Sequence, residues 1–203
     1  MKIVLGIVVV LVIIAAAVLL FSPKAPQDVQ QAVVGDAPAA EQATTTEAAM
    51  VDAGVEITSF NFTGYGPGKS HLGTFEQYEV SNVAVDANGL PTAGTVTFYV
   101  DSIKTDAAML DTHLKEKKEF FESATYPTVT FKLASVADKG NGMYDVTGDL
   151  TVKNVTKRIT FGVTAAADKT FSSEFRVAMD QFGFTAPGIV DNEVLVKFSG
   201  KAQ

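Results

Sequence analysis

The chain has 203 residues, with 16 Lys and Arg against 23 Asp and Glu, a formal net charge of −7. That length holds one ordinary domain with tails, and 47% hydrophobic against 19% charged residues excludes a wholly disordered polymer. The acidic balance argues against a nucleic-acid partner, which calls for a basic face. The absence of Cys excludes disulfides, thiolate metal sites, Cys nucleophiles and lipid attachment through an N-terminal Cys. Two His are too few for a multi-histidine metal site.

Residues 3–21 read IVLGIVVVLVIIAAAVLLF, 19 residues without a charge. As a helix the run would be about 28 Å long, close to the ~30 Å hydrocarbon core of a bilayer. It exceeds the ~7–15 apolar residues of a secretory signal. It also continues through Val18 to Phe21 after its Ala15-Ala16-Ala17 stretch. The pattern favours an uncleaved N-terminal transmembrane anchor over a cleaved signal, with Lys2 on the cytoplasmic side. The rest of the chain is then extracytoplasmic, in the periplasm, or secreted if the segment is cleaved.

Residues 22–54 are rich in Ala, Gln, Thr and Pro and hold no aromatic residue. Such a stretch buries too little apolar area to offset its ordering entropy, so a flexible linker is expected there. Residues 55–203 hold 13 of the 14 Phe and all 5 Tyr, and form the expected folded domain.

Within that domain, alternation dominates. Val96, Phe98 and Val100; Val129, Phe131 and Leu133; Tyr144, Val146, Leu150 and Val152; Ile159, Phe161 and Val163; Phe171, Phe175, Val177 and Met179; and Val194, Val196 and Phe198 alternate with polar neighbours. Period 2 with Val, Phe and Thr enrichment is the signature of half-buried strands. Weaker strands fit 56–63, 72–80 and 81–86. Asn88-Gly89, Lys139-Gly140-Asn141-Gly142 and Lys153-Asn154-Val155-Thr156 supply turn chemistry between runs. About eight strands joined by short turns predict an antiparallel barrel able to hold one ligand. The exception is 105–123, where Met109, Leu110, Leu114 and Phe121 recur at helical spacing. A helix covering one end of the barrel is expected, capped by Thr105 or Asp106 and ending before Tyr126-Pro127.

Gly64-Tyr65-Gly66-Pro67-Gly68-Lys69-Ser70 resembles a phosphate loop only superficially. The first required glycine falls on Thr63, and the following residues read as strand rather than helix. A Gly-rich connection between strands suffices. No spacing with Ser or Asp marks either His71 or His113 as part of a catalytic site.

The stretch 101–136 carries Ser102-Ile103-x-Thr105, Asp111-x-His113-Leu114, Phe120-Phe121, Tyr126-Pro127 and Thr130-Phe131-Lys132. With Gly148-Asp149-Leu150-Thr151-Val152 running into Val155-Thr156-Lys157, and with Asp180-x-Phe182-Gly183, it resembles the YceI-like family of lipid- or polyisoprenoid-binding domains. The resemblance spans about 57–203. It implies an eight-stranded, lipocalin-like antiparallel barrel with an elongated apolar cavity for an isoprenoid or similar amphiphile. It carries over no catalytic residue.

Strand parity then nominates the lumen lining: Phe98, Val100, Phe131, Leu150, Val152, Phe161, Val163, Phe175, Val177, Val196 and Phe198. Lys69 and His71, flanking the Gly-rich loop, are the candidates for the mouth. The expected partners are an isoprenoid or quinone-like lipid, and a membrane through residues 3–21. The same lining would equally fill a packed structural or interaction barrel without ligand, and parity does not separate the two.

Overall fold

The computed structural model describes residues 23–38, 54–85, 91–185 and 190–202. The expected membrane anchor at 3–21 lies outside them. No helix among the described residues is long and apolar enough to cross a membrane.

The wall is one curled, mostly antiparallel sheet. Its long strands are β2 (Val55–Gly66), β4 (Tyr78–Val85), β5 (Pro91–Tyr99), β7 (Thr128–Gly140), β8 (Met143–Val152), β9 (Val155–Ala165), β10 (Thr170–Ala178) and β11 (Glu193–Ala202). Three short strands join them: β1 (Val33–Asp36), β3 (Lys69–Phe75) and β6 (Ile103–Thr105). The order is β4-β5-β7-β8-β9-β10-β11-β2-β3-β6, with β1 on β9. Antiparallel neighbours are joined by tight turns wherever the sequence offers them. Pro67-Gly68, with Gly68 at φ +79°, links Gly66 to its partner Lys69 as a type II turn would. The Gly-rich segment is therefore a hairpin. Lys153-Asn154 similarly joins Val152 to its partner Val155.

Three expectations need correction. First, the closed eight-stranded barrel is an 11-stranded curled sheet whose path runs from β4 to β6, with no ladder joining its ends among the described residues. The seam is held by side chains. Tyr78 Oη donates to the Ile57 carbonyl at 2.6 Å, and Phe60 meets Phe98 with ring centroids 4.5 Å apart. The strand expected over 72–80 breaks because Glu76 and Gln77 turn their N–H groups to Ser102 instead of a ladder partner.

Second, the helix is α1 (Ala108–Glu116), nine residues long and far shorter than 105–123. Thr105 is held in β6 opposite Gly73, so the helix cannot begin there. Its N-cap is Ala107, without a side-chain cap, and Lys117 ends it in an extended conformation. Leu110 and Leu114 face inward, but Met109 is 74% exposed.

Third, the linker is not flexible throughout. Residues 23–38 form a strap inserted into the wall. β9 and β10 pair only at Phe171 with Ala165 and Ser172 with Thr164, and then splay apart. The strap fills that gap. Val33 to Asp36 pair antiparallel with Thr160 to Lys157 of β9. On the other side, Ala32 N–H donates to Arg176 O at 2.8 Å and Arg176 N–H to Gln30 O at 2.9 Å. Arg176 is 7% exposed; its guanidinium donates to Val29 O and Gln27 Oε1 of the strap and to the Glu193 carboxylate of β11. Ala25 and Ala32 are buried. Residues 23–38 thus pack on the folded sheet together with the domain expected from 55 on. Residues 39–53 lie outside the described residues.

One end of the sheet, here the helix end, is packed with the most deeply buried side chains: Phe182, Ile103, Val100 and Val152 are at most 1% exposed. Phe121 sits edge-on to Phe184 at 4.9 Å and to Phe75 at 6.0 Å.

Candidate functional site

Alternate residues of every long strand point into a cavity of about 860 Å³, lined almost entirely by apolar side chains. It falls in the upper part of the ~300–1,000 Å³ range of small-molecule pockets. It runs from Leu114, Phe120 and Phe184 at the helix end to Val136, Phe171 and Lys169 at the far end. The interior residues Phe131, Leu150, Val163, Val196 and Phe198 remain half-buried, as side chains facing open space do.

A packed barrel of this composition would be filled by its Phe rings. Here several rings lie against the wall, over glycines on the adjacent strand. A Cβ added at Gly73 would stand 2.3 Å from the Phe62 ring, at Gly148 2.3 Å from Phe131, and at Gly200 2.2 Å from Phe171. The missing side chain lets each ring sit in the wall's own thickness, leaving the lumen empty. Phe161 lies flat on Phe175, with centroids 4.3 Å apart and planes 9° from parallel.

Ten of the eleven nominated lumen residues line this cavity. Val100 does not, because β5 ends at Tyr99. Val100 begins a 3-10 turn, donates its N–H to Pro127 O, and is buried in the packed end. Strand parity stops where the strand stops. Parity missed Phe60, Phe62, Val129 and Ile159, which also line the cavity. The Phe60-x-Phe62 alternation was present as a signal, and Val129 and Ile159 continue runs already recognised.

His71 and Lys69 lie at the helix end on the β2–β3 hairpin. His71 lines the cavity and Lys69 does not. Both face Asp106, with His71 Nδ1 2.6 Å and Lys69 Nζ 3.7 Å from its oxygens. The hydrogen bond with His71 holds the Asp106 carboxyl below its ordinary value. Asp111 of α1 is buried beside it. Burial pushes its carboxyl up, but the Thr105 hydroxyl and N–H, each at 2.6 Å, and Lys104 at 3.0 Å outweigh that and hold it below the usual range. These bonds tie α1 to β6 and so place Leu110 and Leu114 over the cavity. On the same hairpin, opposite Ser70, burial raises the Tyr65 hydroxyl above its ordinary value, with Asp191 and Glu174 adding to the effect.

A curled, mostly antiparallel sheet around one long apolar cavity, with a short helix at one end, places the protein among all-β half-barrel folds. More narrowly, the chain belongs to the YceI-like domain family, which it matches over residues 42–202. It is 30% identical over 154 residues to a UPF0312 protein of Vibrio cholerae serotype O1 (strain M66-2), covering 68% of this chain and 77% of that one. It is 35% identical over 88 residues to Protein YceI of Escherichia coli O157:H7, covering 43% and 45% of the two chains. Among solved structures it resembles Burkholderia cenocepacia BcnA, with TM-score 0.59 and 24% identity over 71% of this chain and 96% of that one. It also resembles a polyisoprenoid binding domain from Saccharophagus degradans, with TM-score 0.54 and 12% identity over 74% and 99%.

Proposed function

We propose that this chain is a membrane-tethered, extracytoplasmic binding protein that holds an isoprenoid or quinone-like lipid in its cavity. The observation that carries the reading is an apolar lumen kept open by rings seated over glycines. An apolar chain needs no polar motif there. Each CH₂ moved out of water contributes roughly 0.8 kcal/mol, so a few isoprene units offset the cost of association. The cavity's length along the sheet suits an extended chain rather than a compact guest. His71 is the proposed headgroup contact: Nδ1 is engaged by Asp106, and Nε2 is the ring's remaining polar atom. The Saccharophagus relative, described as polyisoprenoid binding, supports the ligand class. The run at 3–21 supports the tether.

The test is native mass spectrometry of the full chain, expressed with its own N-terminal segment, with organic extraction of bound species. A stoichiometric isoprenoid or quinone is expected. Val196→Trp, which places an indole in mid-lumen, should abolish its retention while the fold is kept. An empty protein that also fails to take up added polyprenyl lipid would overturn the carrier reading.

A further inference from the structure

The strap fixes how far the barrel can stand from a bilayer. Ala25 is the first strap residue bonded to the wall, and Ser22, Pro23 and Lys24 separate it from Phe21, the last residue of the apolar run. Four residues span at most about 14 Å. A 19-residue helix ends at the edge of the hydrocarbon core. The headgroup layer beyond that edge is itself about 5–7 Å thick. The strap's first contacts therefore lie no more than about 7–9 Å beyond the outer surface of the headgroups.

Those contacts are all at the helix end. Ala25 N–H donates to the Asp191 carboxylate at 3.1 Å, and Gln27 Nε2 to Glu193 at 3.3 Å. Asp191 N–H in turn donates to Tyr65 O at the end of β2. Two apolar side chains stand exposed at this same end: Leu72 at 56% and Met109 at 74%. The Leu72 carbonyl accepts the Asp106 N–H at 3.2 Å, which sets it beside the start of α1. Pro67, His71 and Asn192 line the cavity at this end.

We infer that the helix end of the barrel rests on the bilayer, with Leu72 and Met109 facing the headgroup layer. The inference rests on the proposed anchor at 3–21. It replaces the long flexible tether with a short one, so that the end of the cavity lined by His71 is held near the surface from which lipid is drawn. Met143, at the far end, is the comparable exposed side chain at 49% and lies roughly 30 Å away along β8.

The chain has no Cys, so single labels are simple to place. Leu72→Cys, Met109→Cys and Met143→Cys variants of the full chain would each carry a polarity-sensitive fluorophore. They would be reconstituted into phosphatidylcholine–phosphatidylglycerol vesicles with a headgroup-labelled quencher lipid in both leaflets. Labels at 72 and 109 should be quenched at least threefold more than the label at 143. Equal quenching at all three sites, stronger quenching at 143, or no quenching in vesicle-bound protein would overturn the orientation while leaving the anchor intact. Protein that fails to float with the vesicles would overturn the anchor, and the orientation with it.

Discussion

The strap and strand β9 lie side by side in one ladder, yet their sequences share no pattern. In β9, Ile159 and Phe161 are buried and alternate with more exposed polar neighbours, because one face of the strand must cover a core. The strap reads QAVVGDA over residues 31–37 and holds no large side chain. It occupies a slot whose two edges already exist, so it contributes N–H and C=O groups and little else. Strand addition of this kind draws its affinity from the main chain, at a net of about 1 kcal/mol per hydrogen bond. Side-chain composition reports the burial of a face and is nearly blind to the filling of a gap.

The comparison can be broken at its fastening. Arg176→Ala should cost about 3 kcal/mol in denaturant unfolding, since it strips a buried guanidinium from Glu193 and two strap acceptors. Amide exchange over residues 30–36 should accelerate in the same variant. A loss below about 1 kcal/mol, the range of an exposed ion pair, would show that the strap merely adheres.

A smaller effect sharpens the contrast between the lumen wall and the strap. Gly148→Ala should cost about 2 kcal/mol by overpacking, because its Cβ meets both the Phe131 ring and the Lys132 carbonyl, the latter at 2.6 Å. Gly162→Ala should cost less than about 1 kcal/mol, a tolerated surface change. Its Cβ meets only the end of the Gln30 side chain, which can turn away. Thermal or urea unfolding of the pair separates the two cases.

The smallest effect lies at the surface and away from both regions. Asp106 has a depressed carboxyl in the folded state, so its contribution is present above the unfolded value of about 3.9 and disappears as pH falls through the folded one. The stability gap between wild type and Asp106→Asn should therefore be visible at pH 6, close below about pH 4, and shrink in high salt.

Much of the wall was legible because period-2 alternation survives wherever one face is wet and the other apolar. Phe161, Phe175 and Phe198 could be placed inside from the sequence for that reason. What failed did so on identifiable grounds. Val100 kept the parity but lost the strand. Thr105 looked like a cap but was committed to β6. Met109 matched a helical spacing on a helix too short to present it inward. The open lumen was hidden because Phe131 or Phe171 reads alike whether its ring fills a core or lies on a wall. Gly148 and Gly200 distinguish the two, and each sits on a partner strand far away in sequence.

The rings seated over Gly73, Gly148 and Gly200 have a consequence for how such a barrel can diversify. Its bore is set by positions that carry no side chain at all. At Gly73 the three nearest neighbours of an added Cβ are atoms of the Phe62 ring, 2.3 to 3.0 Å away. A single methyl there would tilt that ring toward the axis and narrow the channel, with every aromatic residue and the whole outer surface unchanged. The bore of the cavity is thereby uncoupled from the side chains that line it, and the one can change by small steps while the other stays as it is.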